Sequence, residues 1–86
     1  MPGSVLRGKD NQMNLPVIDT EATGRNISRL MAEHEMSVTG IRDYLGLNTT
    51  YAVYKWLNGA SMPSIDNMLA LSVLFGISMN EILVYA

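Results

Sequence analysis

The 86 residues contain no cysteine, so no disulfide ties the chain together and no thiolate is on hand to hold zinc. That absence fits a cytosolic protein. Long apolar runs are missing too. The greasiest stretch, "MLALSVLFGI", is broken by Gly76 and falls short of the length that spans a bilayer. The opening residues, "MPGSVLRGKDNQMN", lack an apolar core of the kind a secretory signal needs. Histidine occurs once, at His34, with no ligand pattern around it that would suit a metal. There is no nucleophile with a base at a recognisable spacing and no glycine-rich phosphate loop. An enzyme is therefore not expected, and neither is a cofactor. Positive charge is scarce: six Lys and Arg face eight Asp and Glu, with a pI of about 5.1. By itself this weighs against a nucleic-acid partner.

What is present is 48% apolar residues arranged with helical spacing. A chain of this length makes one domain and buries only around 60% of its unfolded surface, near the lower limit for folding alone. Residues 1–14 are polar and aperiodic and are expected to form a disordered tail, with the domain in 15–86. Met13 stands just before patterned sequence and is the expected natural start. "NLPVID" reads as extended, because Pro16 disfavours helix before it.

The pattern predicts five helices. The first runs from Thr20 to Glu35, capped by Asp19 or Thr20, with Ile27, Leu30, Met31 and His34 on one face. Gly24 inside it costs up to roughly 1 kcal/mol, which close approach of another helix would justify. Ser37 caps a second helix with Val38, Ile41 and Leu45 buried, and Gly46 stops it. Asn48 or Thr49 caps a third, about Thr50 to Leu57, with Val53, Trp56 and Leu57 inward. Ser64 opens a fourth, "IDNMLALSVLF", apolar on nearly all sides and so expected to be a buried central helix. "SMNE" is a capping box that starts a fifth helix carrying Met79, Ile82 and Leu83. The sequence shows no strand patterning and no internal repeat. Seven methionines suit gap-filling in the core or an adaptable surface.

The stretches "MSVTGIRDYLGL" and "YKWLNGASMPSIDNMLALSVLFGISMNEIL", in this helix order, resemble the Xre family, the Cro and phage-repressor type of helix-turn-helix. The likeness runs from Asp19 to Tyr85, nearly four-fifths of the chain. It implies an all-α, compact five-helix bundle of the lambda-repressor-like type, with the helix-turn-helix at helices 2 and 3. It further implies a sequence-specific DNA-binding transcriptional regulator, expected to repress, cytoplasmic and homodimeric. Helix 3 would enter the major groove while helix 2 crosses the backbone. By resemblance, Gly46 is the turn glycine, and Val53 and Trp56 lock helix 3 in place. Thr50, Tyr51 and Lys55 would read bases. Thr39, Thr49, Tyr54, Asn58, Ser61 and Asn67 would meet the DNA backbone, with the first amides of helices 2 and 4. Ile82, Val84 and Tyr85 are the expected dimer surface, by analogy with relatives that pair near this end. No effector-sensing domain follows in this sequence, so control is expected from abundance, a partner or promoter occlusion.

Two features depart from the family pattern. Arg42 stands where a small residue is usual, and Leu45 to Gly59 is one residue longer. A longer turn would let the arginine stem lie along the helix crossing with its charge in water. From Asp19 onward, four cations face seven acids. Each residue singled out also has a plainer reading. Lys55 is a base reader or a solvated lysine, and Tyr51 and Tyr54 touch DNA or cover surface. Arg25 and Arg29 meet phosphates or pair with Glu21 and Glu33 at i,i+4. The alternative function is a non-enzymatic protein-interaction module or antitoxin-like partner on the same scaffold, with weak or no DNA binding.

Overall fold

The computed structural model describes residues 15–86. The expectations for the first fourteen residues and for Met13 lie outside it. The described chain forms five helices: α1 Thr20–Glu33, α2 Val38–Leu45, α3 Tyr51–Leu57, α4 Ile65–Phe75 and α5 Met79–Ile82. They enclose one core of Ile27, Leu30, Met31, Ile41, Val53, Trp56, Met68, Leu71, Phe75 and Ile82. Each such side chain, fully buried, is worth about 1.5–3 kcal/mol in transfer free energy.

Helix starts follow the capping residues. The Asp19 carboxylate accepts the Ala22 amide at 3.0 Å, the Ser37 hydroxyl accepts that of Gly40 at 2.9 Å, and Ser64 accepts that of Asn67 at 3.2 Å. Each satisfies an amide the helix itself leaves unpaired. At α5, the Glu81 carboxylate reaches back to the Ser78 amide at 2.9 Å. The start of α3 is different. Thr50 precedes the helix with helical dihedrals and no side-chain cap, and Thr49 supplies the oxygen instead, to the Tyr51 amide at 3.3 Å.

Four helices end alike, with one residue at positive φ and paired backbone bonds folding back onto the last turn. After α2, α3 and α4 that residue is glycine. After α1 it is Glu35, at φ 57°. The Met36 amide bonds the Met31 carbonyl at 2.8 Å and the Glu35 amide bonds that of Ala32 at 3.2 Å. Helix 1 therefore stops at Glu33, short of the expected Glu35. No glycine marks the stop in the sequence.

Gly24 marks the tightest approach in the fold. A Cβ there would lie 2.4 Å from the Trp56 carbonyl oxygen and 2.6 Å from that of Leu57. The helix that glycine admits is thus α3, which docks its C-terminal end backbone-to-backbone against α1.

Two expectations are corrected. First, α4 is buried on one side only. Met68, Leu71 and Phe75 are inside, but Ile65, Leu69 and Val73 are exposed at 73%, 52% and 69%. Among the described residues no element covers them, because α5 is a single turn. Second, Leu83, expected inside the fifth helix, lies beyond it, and the chain turns extended there. Val17 and Ala86 exchange backbone bonds at 3.4 and 3.1 Å, and the Asp19 amide bonds the Val84 carbonyl at 2.8 Å. The result is an antiparallel bridge between Ile18 and Tyr85, too short to show as alternation. Thr23, fully buried, fixes this end: its hydroxyl oxygen accepts the Val84 amide at 2.9 Å. Asn26 donates to the carbonyls of Glu81 and Ile82 at 3.0 and 2.9 Å. Ile82 is buried to 0% exposure and so is not available to the expected dimer surface. Val84 is half-buried and Tyr85 exposed.

Urea unfolding checks the two backbone readings. Gly24→Ala, which helix propensity alone would favour, is expected to destabilise by about 1–3 kcal/mol through overpacking. Glu35→Gly is expected to stabilise by about 1 kcal/mol, by relieving a left-handed residue that carries a Cβ.

Candidate nucleic-acid interface

Two buried side chains orient α3. Val53 and Trp56, three residues apart, are 0% and 4% exposed. They fix the inner face against α2 and α1, so the opposite face is forced outward. That face carries Tyr51, Tyr54, Lys55 and Asn58 at i, i+3, i+4 and i+7. Tyr51 is 70% exposed; Tyr54 and Asn58 are exposed and Lys55 is half-buried. The Lys55 ammonium sits 5.3 Å from the centre of the Tyr51 ring, a cation–π contact that holds the charge over the aromatic face.

The residues around this face fall into place beside it. Thr49 is exposed and Thr50 half-buried at the mouth of α3. Thr39 is exposed in the first turn of α2, next to the capped amides that follow Ser37. Asn58 uses its carbonyl oxygen to accept the Ala60 amide at 2.9 Å, which leaves its NH₂ outward-facing chemistry. Ser61 is half-buried, its amide bonded to the Lys55 carbonyl at 3.3 Å. Asn67 is half-buried in the first turn of α4. The connection from α2 to α3 spans Gly46 to Thr50, with Gly46 at φ 72°.

Arg42 sits on α2 with its side chain 34% exposed. Its charge, however, is not left to water. The guanidinium grips Asp43 with contacts of 2.9 and 3.0 Å. Arg29 is also occupied, donating to Glu33 and to the side-chain Oδ1 of Asn26. Among the described residues, Arg25 and Lys55 form no ion pair, so of the two i,i+4 pairings weighed against phosphate contact, Arg29–Glu33 forms and Arg25–Glu21 does not. Placement thus matters more than the count of charges: of the two cations left without a carboxylate among the described residues, Lys55 lies on the outer face of α3 and Arg25 on α1.

Sequence reasoning missed the Arg42–Asp43 pair, although the two are adjacent and opposite in charge. It also missed the link between α2 and α4, where the Tyr44 hydroxyl donates to the Ala70 carbonyl at 3.0 Å. No helix among the described residues is long and apolar enough to cross a membrane.

Comparison with known proteins agrees with this geometry. The description of a Cro/C1-type HTH DNA-binding domain matches residues 26–86. Among solved structures, the crystal structure of the DNA-binding domain of BldD superposes with a TM-score of 0.62 at 14% identity, covering 76% of this chain and 93% of that one. At that identity the likeness speaks for the fold. No curated protein matches significantly. With α2, the Gly46 turn and α3 in place inside the matched region, the chain belongs to the Cro/C1-type helix-turn-helix DNA-binding family.

Proposed function

We propose that this protein is a sequence-specific transcriptional regulator that represses by seating α3 in the major groove and occluding a promoter. The observation that carries this reading is the outward face of α3. It presents an exposed tyrosine pair and a lysine that meets no carboxylate among the described residues, directly opposite the buried Val53 and Trp56. Lys55 donates to guanine O6 and N7, Thr50 touches a thymine methyl, and Tyr51 meets a base edge. The Tyr51 ring also pre-positions the Lys55 ammonium, reducing the entropy lost when it binds. Thr39, Thr49, Tyr54, Asn58, Ser61 and Asn67 contact sugar and phosphate and set the register without reading sequence. The regulator works in the cytoplasm as a homodimer.

Phosphate neutralisation supplies most non-specific affinity. With Arg29 and Arg42 spent on their own carboxylates, each domain brings few free cations. A single domain therefore binds weakly, and two domains on adjacent half-sites regain affinity through effective concentration. The same neutralisation favours the second reading, a protein-interaction module without DNA. Salt separates the two, because apolar association does not weaken as ionic strength rises.

Fluorescence anisotropy with duplex DNA tests the proposal. Lys55→Ala is expected to cost about 1–3 kcal/mol on the preferred sequence and to relax the preference at one base pair, with the fold intact. Asp43→Asn removes one acid and frees Arg42. It is expected to tighten non-specific binding and steepen the slope of log affinity against log salt by about 1. Binding that is unchanged in both variants would contradict the reading.

A further inference from the structure

Asn58 is the only asparagine of the sequence that is followed by glycine. Asparagine is chemically labile, and most so in that setting, because a glycine amide reaches the neighbouring carboxamide with no side chain in the way. The fold forces this pair. Gly59 holds φ at 81°, and a Cβ on it would lie 2.8 Å from the Cα of Glu21, so no other residue makes this turn without displacing α1. Asn58 stands at the C-terminal end of α3, exposed and three residues from Lys55.

We propose that Asn58 deamidates spontaneously when the turn that ends α3 opens, and that the carboxylate it leaves switches off the DNA-binding face. The Gly59 nitrogen attacks Cγ of Asn58 and closes a five-membered imide. The carboxamide nitrogen leaves as ammonia, taking up the proton that the Gly59 amide gives off. Water then adds across either ring C–N bond, leaving aspartate or isoaspartate; no oxidant or other co-reactant is consumed. In the closed turn this chemistry is held back. The Gly59 amide donates to the Trp56 carbonyl at 3.2 Å, and Asn58 Oδ1 accepts the Ala60 amide at 2.9 Å. With Asn58 at ψ 2°, the attacking nitrogen is turned away from the Cβ side, where the ring must close. Local opening breaks both bonds and frees that rotation. The two products differ in consequence. Aspartate keeps an oxygen for the Ala60 amide, so the turn survives. Isoaspartate lengthens the backbone by a carbon next to the contact between α3 and α1. Either one places a negative charge beside Lys55, since residues three apart on a helix are neighbours, and that charge repels phosphate. The loss of DNA binding rests on the function proposed above; the chemistry does not.

The full chain is aged at mildly alkaline pH, and peptide mapping by mass spectrometry locates each change from amide to acid. Conversion at Asn58 is expected to run far ahead of that at Asn26, Asn48, Asn67 and Asn80, and to accelerate in urea too dilute to unfold the protein. Duplex binding is then read by fluorescence anisotropy. Aged wild type should lose affinity in step with conversion, whereas Asn58→Gln, aged alike, should bind as its own unaged sample does. Fresh Asn58→Asp should bind at least about tenfold more weakly than fresh wild type, equivalent to ~1.4 kcal/mol, with an unchanged melting curve. An Asn58 that stays intact, or converts no faster than the other asparagines, would overturn the chemistry. A rate indifferent to urea would overturn the gating by the turn, and full affinity in Asn58→Asp would overturn the switch. Fresh wild type that binds no duplex would instead refute the DNA-reading function, and the mapping would still decide the chemistry, so the two readings fail separately.

Discussion

The close contact of α1 with the end of α3 is the constraint on which the rest of this structure depends. The carbonyls of Trp56 and Leu57 approach Gly24 so nearly that no Cβ fits between them. Glu21 fills the same role one turn earlier, against Gly59, where a Cβ would come within 2.8 Å of the glutamate Cα. These contacts fix where α3 ends. Val53 and Trp56 fix its rotation by burying two adjacent turns of its inner side. A helix of seven residues has little stability of its own, since helices this short are marginal in water. Its orientation is therefore imposed by packing, and packing is what turns Tyr51, Tyr54 and Lys55 outward together.

The same economy explains how an acidic chain presents a surface suited to DNA. Net charge acts at long range, but screening at physiological salt confines it to about 8 Å. Within that distance, what counts is which charges are already paired. Arg29 and Arg42 are paired with Glu33 and Asp43, while Lys55 is paired with an aromatic ring. A ring neutralises no charge. The lysine thus loses some of its freedom to move without meeting a carboxylate among the described residues. What this surface does not provide is a large electrostatic reserve.

Much of the architecture was legible because it is written in local signals. Ser37, Gly46, Ser64 and Gly76 bound their helices where capping chemistry places them, and the i, i+3, i+4 spacing picked out Ile27, Ile41, Val53 and Trp56 as core. The signals failed where a long-range contact or an unusual residue took over. Glu35 ends α1 in a conformation usually left to glycine. Val84 to Ala86 leave the helix because Thr23 and Asn26, some 60 residues earlier, hold that end. Composition misled at α4: an all-round apolar helix implied burial on every side, but among the described residues no element covers Leu69. For the candidate site, the sequence located the outward face of α3 and named its residues. The cation–π contact and the Arg42–Asp43 pair depend on rotamers that spacing does not specify.

The central claim is that α3 presents a DNA-binding face despite the acidic charge of the chain. Its most direct test is an amide chemical-shift titration of the labelled protein with duplex DNA at low salt, repeated at high salt. The account predicts shifts along Tyr51 to Asn58 and at the starts of α2 and α4, disappearing as salt rises. An absence of shifts at low salt, or shifts that persist unchanged at high salt, would contradict it.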